Sequence, residues 1–592
     1  MIESLLVANR GEIAVRIVRA CRDLGIESIV AHSDLDADSP AVRLADRAVA
    51  VGDGSPRPYL DGAALITAAL DTGAGAIHPG YGFLAENAPF AEMVEAAGLA
   101  FVGPAAATMA LLGDKLSGRD VAERAGLPVL RGHPLGGAST VDAPVLESIG
   151  LPVLVKAAFG GGGRGMRRAD SAAELDGAIE AARRESAVAF GRDEIYIERL
   201  VDRPRHVEVQ IFGDPDGRVF HLGTRDCTIQ RRHQKLIEEA PAAHLPADVE
   251  ERMLTGAVAL ATEVGYRGAG TVEFLFDPVS GEFFFLEVNA RLQVEHPVTE
   301  LVTGVDLVRA QLVVAGGEAS GLDQDAIAVR GHAIEARILA EDPAAGFQPA
   351  TGLISRLTLP SGPWVRVESG VAPGSEVTAH YDSLLLKVCA LGEDRPTAIA
   401  RLRRALRELE VVGVPTTAAF IDAVLGSPPF SELSCWTGAI DAGEIRVPSD
   451  GPTGTVEVSP AASAVAGSGE APTERIATIN IGSSDLHIAI PVRGSTKRTA
   501  EMTRTRRERS GGRSEGAATR GAVAPMDAVL LHYLVAVGDS VEGGATVAVV
   551  ESMKLETHIT ADRAGVVTNL HFAEGDLVRR GDVLVDVAEP EV

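Results

Sequence analysis

The segment 270–297 concentrates side chains able to bind cations, hold anions and move protons. Glu273 lies in one apolar run, 271–276. Glu287, Asn289, Arg291, Gln293 and Glu295 follow at alternating positions in and beyond a second run, 282–288. Every second side chain of an extended segment points to one face. If the extended geometry persists past the second run, five polar groups line up, with Glu273 facing them from the partner strand. Two carboxylates and an amide oxygen are hard ligands suited to Mg²⁺ bridging nucleotide phosphates. Arg291, Gln293 and Glu295 then stand beside the metal, where a small anion and a base are needed. The run Phe283, Phe284, Phe285, Leu286 argues against an exposed hairpin.

Two further clusters point to anions. Gly160, Gly161, Gly162 and Gly163, followed by Arg164 and Gly165, come directly after the apolar run 152–155 and Lys156. Glycines let backbone N–H groups close on phosphate oxygens, and the basic residues supply charge. No Gly-Lys-Ser/Thr follows, so this is not a P-loop. Arg225, Gln230, Arg231, Arg232, His233 and Lys235 gather cationic side chains in an acidic chain. They read as an anion site, with a solvated basic loop as the other reading. His78, His206 and His332, taken singly, read as structural.

The elements that must position these residues are legible from periodicity. An apolar run at 4–8 leads through Asn9-Arg10-Gly11 into Ile13, Ile17 and Cys21 at helical spacing, then into the run 26–31. That is a strand–helix–strand opening of an α/β unit. Alternation continues to about residue 113, with a Gly- and Pro-containing loop at 76–82. The turn 277–281 joins the two runs around Glu273 and Glu287 into a hairpin. Past residue 445 the chain becomes rich in Pro, Gly, Ser and Ala, the composition of a linker. Within it, Ile479, Ile481, Leu486, Ile488 and Ile490 alternate about a turn as one small hairpin. The basic residues from Lys497 to Arg513 read as a solvated linker rather than a docking tract. Near the end, Gly538, Asp539, Val541 and Gly544 recur 37 positions later as Gly575, Asp576, Val578 and Gly581. Two copies of one β unit predict a pseudo-symmetric all-β domain. Lys554 lies between the copies, at a turn flanked by apolar strands.

Composition narrows the classes. Lys+Arg 55 against Asp+Glu 82 leaves a net charge of −27, which excludes the basic footprint of a nucleic-acid or anionic-membrane binder. At 592 residues and 46% hydrophobic, the chain can fill several cores. Four widely spaced cysteines suggest neither a disulfide framework nor a zinc site. With no secretory signal and no apolar stretch long enough to span a bilayer, a cytoplasmic location is expected.

The stretches HPGYGFLAEN, GDK at Lys115, GGGGRGM, PRHVEVQ, RDCTIQRRHQK, LEVNARLQVEHPVTE and RGHAIEARILAEDP resemble biotin carboxylase of the ATP-grasp superfamily from residue 1 to about 445. The last domain resembles a biotin carboxyl carrier domain, whose target lysine sits in a Met-Lys-Met turn. Here the triplet is Met553-Lys554-Leu555, and Asp527-Ala528 stands where that family usually has a turn-favouring pair such as Pro-Gly. Carboxylase and carrier in one chain resemble the alpha subunit of actinobacterial acyl-CoA carboxylases.

The resemblance implies a mixed α/β and α+β fold. Its parts are a Rossmann-like domain at 1–112, an ATP-grasp domain at 113–330 with a mobile lid around 133–203, a carboxylase C-terminal domain at 331–445, a linker at 446–521 and a small β barrel at 522–592. It implies ATP-driven carboxylation of biotin attached to Lys554. Lys115, Lys156, the 160–163 glycines, Glu198, His206, Gln230 and His233 would hold ATP. Glu273, Glu287 and Asn289 would hold Mg²⁺ or Mn²⁺. Arg291, Gln293 and the Val294 backbone would bind bicarbonate, which Glu295 deprotonates. Lys235 would steady the reacting anions, and Arg337 the biotin enolate. Implied partners are a carboxyltransferase (beta) subunit, biotin protein ligase and further copies of the chain. Two other readings are an ATP-grasp carboxylate–amine ligase and a lipoyl-type carrier. The first leaves the lysine turn unexplained, and the second commonly has an acidic residue where Met553 stands.

Overall fold

The computed structural model describes residues 2–52, 58–136, 140–157, 166–190, 193–445, 474–481, 484–491, 521–553 and 555–588. The 160–163 glycines and Lys554 therefore lie outside the described residues. The chain divides into two units, 1–447 with 520–592, and 448–519. In the second unit the expected hairpin is present as Glu474–Ile481 paired with Ser484–Pro491.

A five-stranded parallel sheet opens the first unit. Its order is Arg47–Ala50, Glu27–His32, Ser4–Val7, Ala76–His78, Ala100–Phe101. The order reverses direction between Ser4–Val7 and Ala76–His78, and ligand crevices form at such a switch, beyond the carboxyl ends of the strands. Helix Gly11–Leu24 starts there, as does the loop after His78. That loop is clamped by Asn9, whose Nδ2 donates to the carbonyls of Pro79 and Tyr81 at 2.7 and 2.8 Å. Gly80 has φ +63°, and a Cβ there would stand 2.8 Å from Asn9 Nδ2, so the turn requires glycine.

Next comes a four-stranded antiparallel sheet in the order Gly132–Gly136, Ile195–Arg199, Val153–Ala157, Arg167–Ala169. Helices Ala143–Ile149 and Ala172–Phe190 accompany it, and it has a small core of its own around Val153, Val155, Ile179 and Ile197.

The largest sheet has eight strands, every neighbouring pair antiparallel. Its order is Phe283–Asn289, Gly268–Phe276, Arg205–Gly213, Val219–Arg231, Gln234–Ala240, His332–Leu339, Leu384–Gly392, Val365–Ser369. The ladder continues from Gln234–Ala240 into His332–Leu339 without a break, so a boundary placed at residue 330 falls within one continuous sheet.

The last domain consists of two four-stranded antiparallel sheets around an apolar core that includes Leu530, Val547, Val550, Leu584 and Val585. The repeat appears in the coordinates as equivalent turns. Gly538 and Gly575 both have positive φ, +101° and +90°. Asp539 accepts from the Ala536 N–H and Asp576 from the Ala573 N–H, each at 2.8 Å.

Candidate active site

A cavity of about 420 Å³ opens at the switch point and runs against the eight-stranded sheet. One wall comes from the parallel-sheet domain, Asn9 to Ile13 and Tyr81 to Phe83. The opposite wall comes from the big sheet and its connecting loops and carries His206, Gln230, His233, Lys235, Glu273, Glu287, Asn289, Arg291, Gln293, Val294 and Arg337. Sequence spacing alone had gathered most of these.

The hairpin register pairs Glu273 directly with Glu287. The two carboxylates therefore stand side by side, since opposed positions of an antiparallel ladder have close Cβ atoms. Extended geometry, however, ends at Asn289. The chain then loops, and Glu295 caps the helix His296–Thr303, so it does not continue the alternating face. A proline at the helix start and the buried Lys387, which donates to the Val294 carbonyl at 2.6 Å, hold this corner. Arg291 and Gln293 reach the cavity from the loop. Arg291 donates to Gln293 Oε1 at 2.7 Å and to Asn289 Oδ1 at 3.0 Å, and it pairs with Glu86 at 3.0 Å.

Lys235 is the hub. Its ammonium donates to Glu295 at 2.5 Å, Glu208 at 2.7 Å and Glu273 at 3.2 Å. Arg337 donates to Glu238 at 2.5 Å and to the second oxygen of Glu295 at 2.9 Å. Glu295 is wholly buried, yet both its oxygens face cations. Burial acts to raise its pKa, but Lys235, Arg337 and Arg225 outweigh that and hold it well below the usual carboxylate range. Burial likewise acts to raise Glu273, which Lys235 and His206 keep low. Glu287 goes the other way. Burial and the neighbouring Glu273 push its pKa up, and Lys115 opposes them. Among the described residues no ion pair reaches Glu287, and the cations that oppose Glu273 there, Lys115 and Lys156, act from beyond ion-pair distance.

His206 Nε2 lies 3.1 Å from a Glu273 carboxylate oxygen, an ion pair when the ring is protonated, and its Nδ1 lies 2.7 Å from the Gln230 amide nitrogen. Lys156 forms a buried ion pair with Glu198 on the four-stranded sheet. Lys115 opens the helix Lys115–Arg124, and its charge is felt by Glu287 and Glu198. These three residues belong to a neighbouring cluster and do not line the cavity itself.

Comparison with known proteins places this geometry. Residues 1–109 match the biotin carboxylase N-terminal domain, 114–322 the carbamoyl-phosphate synthase L chain ATP binding domain, 335–442 the biotin carboxylase C-terminal domain, and 522–587 the family described as biotin-requiring enzyme. A biotin carboxylase of Nostoc sp. is 48% identical over 72% of the chain and 96% of its own length. The biotin-dependent acyl-coenzyme A carboxylase alpha3 subunit of Mycobacterium leprae is 42% identical over 99% of the chain and 98% of its own length. The chain belongs to the biotin-dependent carboxylases. It carries a biotin carboxylase and a biotin carrier domain of the alpha-subunit type. Among solved structures, a biotin carboxylase of Campylobacter jejuni superposes with TM-score 0.72 at 41% identity, covering 75% of this chain and 99% of that one. The biotin carboxylase domain of the Hydrogenobacter thermophilus 2-oxoglutarate carboxylase, solved with MgADP and bicarbonate, gives 0.72 at 40%, covering 76% and 99%. The expected ATP-grasp fold with a β carrier is present.

Not all of the carboxylase's basic cluster faces anions. Arg225 is wholly buried and donates to Glu208 at 2.5 Å, Gln210 at 2.6 Å, Thr299 at 2.9 Å and Thr271 at 3.1 Å. It braces the sheet beneath Lys235. Arg231 lies over the Phe347 ring at 4.2 Å, and the Arg232 N–H donates to Asp441. Within that cluster, Gln230, His233 and Lys235 face the cavity. Of the histidines, His332 donates to Glu239 at 2.7 Å and is structural, whereas His206 lines the cavity. Sequence reasoning missed Glu208 and Lys387. The first shares one strand face with His206 and Gln210 in RHVEVQ, and the second is a lone charge in the apolar strand Leu384–Gly392. A charge at an inward position of a strand was the available signal.

Proposed function

We propose that the chain catalyses ATP- and bicarbonate-dependent carboxylation of biotin held on its own Lys554, and that a separate carboxyltransferase subunit passes the carboxyl group to an acyl-CoA. The observation that carries this reading is the Lys235–Glu295–Arg337 cluster at the wall of the cavity, within a chain that also bears a carrier domain. The full-length likeness to an acyl-CoA carboxylase alpha subunit supports the acceptor class.

The residues act in sequence. Arg291, Gln293 and the Val294 backbone hold bicarbonate in the corner fixed by Lys387. Glu295 takes the bicarbonate proton, and the freed oxygen attacks the γ-phosphorus of ATP. A P–O bond forms, the bond to the β-phosphate oxygen breaks, and ADP leaves. Carboxyphosphate then yields CO₂ and phosphate. Biotin N1 gives up its proton to that phosphate and attacks CO₂, while Arg337 stabilises the enolate oxygen. Lys235 and Arg337 both donate to Glu295. Incoming substrate anions share those cations, and Glu295 becomes more basic as they bind. Lys115, Lys156 and Glu198 hold the nucleotide from the lid side, as do the 160–163 glycines, with His206, Gln230 and His233 on the sheet side. Glu273, Glu287 and Asn289 would suit Mg²⁺ or Mn²⁺: two carboxylates paired across the hairpin ladder and an amide oxygen are hard oxygen donors. The metal supplies charge neutralisation on the nucleotide phosphates.

Biotin protein ligase is the enzyme that loads Lys554, and further copies of the chain complete the assembly. The four cysteines are all buried and unpaired, which supports a reducing, cytoplasmic setting. Among the described residues no helix is long and apolar enough to cross a membrane. The test is peptide mass spectrometry of the native protein at Lys554, together with ATP turnover in the presence of free biotin. Biotin on the lysine and turnover that requires bicarbonate are expected. A lipoyl group, or turnover indifferent to bicarbonate, overturns the reading.

A further inference from the structure

The carrier domain meets the carboxylase through a small set of specific contacts. Met553, immediately before Lys554, has φ +51° and is 2% exposed. Its side chain belongs to the apolar core of the carboxylase's last domain, together with Leu339, Ile354, Val377 and Leu385, and not to the carrier's own core. Its N–H donates to the Ala379 carbonyl at 3.0 Å. The second contact is Asp527. One carboxylate oxygen accepts from the Arg580 N–H inside the carrier at 2.9 Å, and the other accepts from the Thr351 hydroxyl of the carboxylase at 2.8 Å. The ladder pairs Val529 with Glu551, which brings Asp527 to the Met553 end of the domain.

The acceptor segment of this seat leads into the reaction cavity. Two residues beyond Ala379, Tyr381 donates to Ser33 at 2.9 Å, and its ring lies 4.1 Å from the Arg10 guanidinium. Asp382, Ser383 and Leu384 then line the cavity, as Arg10 does. The carrier is thus seated on a segment whose other end is a wall of the chamber. A single anchor at Met553 leaves the small domain free to rotate about that point. A hydrogen bond from the Thr351 hydroxyl to Asp527 removes that freedom and sets the orientation of the domain. An aspartate suits this double duty because an ionised carboxylate accepts on two oxygens at once.

We propose that Asp527 and Thr351 are positioning residues that orient the chain's own carrier domain, with Met553 as its apolar anchor, for carboxylation of the tethered biotin. This rests on the function proposed above. The tether makes docking intramolecular, so losing one contact changes the productively seated fraction and not the chemistry of the chamber.

The experiment uses fully biotinylated full-length protein and the variants Thr351→Val, Thr351→Ser, Asp527→Ala and the Val/Ala double variant. Two rates are compared: carboxylation of the tethered biotin, read by intact mass, and ATP turnover driven by added free biotin. Thr351→Val and Asp527→Ala should each slow the tethered reaction about 10- to 150-fold, as expected for loss of one hydrogen bond to a charged group. The double variant should be no slower than Asp527→Ala, and Thr351→Ser should restore the rate. Turnover with free biotin should stay at the wild-type value throughout. An unchanged tethered rate, a parallel fall in both rates, or multiplying single effects would overturn the latch. If instead the wild-type protein shows no bicarbonate-dependent turnover with free biotin, it is the carboxylase reading that fails.

Discussion

The reaction chamber and the carrier domain handle charge in opposite ways. In the chamber Glu208, Arg225, Glu273, Glu295 and Lys235 are largely or wholly removed from water and paired with one another, as Glu238 is with Arg337. In the carrier the core is apolar, and among its described residues Ser552 is the one buried polar side chain. Buried ion pairs carry a large desolvation cost and add little net stability, whereas an apolar core stabilises in proportion to the area removed from water. The chamber therefore spends stability on an electrostatic field already in place before substrate arrives. The carrier has only to remain folded while it presents a cargo.

The first way to break this contrast is at Glu295, the proposed base. Glu295→Gln should cut bicarbonate-dependent ATP turnover with free biotin by about 10²- to 10⁴-fold while nucleotide binding persists, and Arg337→Ala should do the same. Retained turnover in steady-state assays would show that the buried charge is merely architectural. Next in size is the carrier core. Leu584→Ala should cost about 2–5 kcal/mol in chemical denaturation. Carboxylation of the tethered biotin should fall at the assay temperature while turnover with free biotin is untouched.

Acid should separate the halves further. Burial acts to raise Glu239, but hydrogen bonds from His332 and Arg395 bring its pKa down to about 2. A lowered carboxylate contributes stability that is present above its unfolded value near pH 4.5 and is lost as pH falls toward 2. The carboxylase transition should therefore weaken across that window more than the carrier's, and Glu239→Gln should flatten the decline. Unfolding followed by circular dichroism from pH 6 to 2 reads both. The smallest effects belong to the carrier's repeated turns. Asp539→Ala and Asp576→Ala should each lower its stability by about 1 kcal/mol and match each other, since each removes the same side-chain hydrogen bond from an equivalent turn.

The contrast also explains what the sequence made legible. The carrier's repeat could be read directly, because glycines and aspartates at turns act locally and recur at one interval. The hairpin pairing of Glu273 with Glu287 was legible for the same reason, since it rests on a short turn and strict alternation. The position of Glu295 was not. Its placement depends on where the strand gives way to a helix, and on Lys387, which comes from a strand almost a hundred residues later. Nor was the burial of Arg225 evident, because a run of basic residues looks alike whether its partners are water or, as here, a glutamate on the neighbouring strand and threonines farther along the chain. Long-range partners decide such residues, and spacing along one segment does not reveal them.

The unbroken ladder between Gln234–Ala240 and His332–Leu339 has an engineering consequence. Glu238 and Arg337 sit on its two strands, yet they touch one another, so the seam between the second and third segments is not a hinge. Cutting the gene between 322 and 332 would yield two fragments that each expose a long unpaired strand edge. They would be inert apart and would regain activity only by zipping that edge together. This junction is therefore a natural site for a split-protein reporter, and a poor one for transplanting either half into another enzyme.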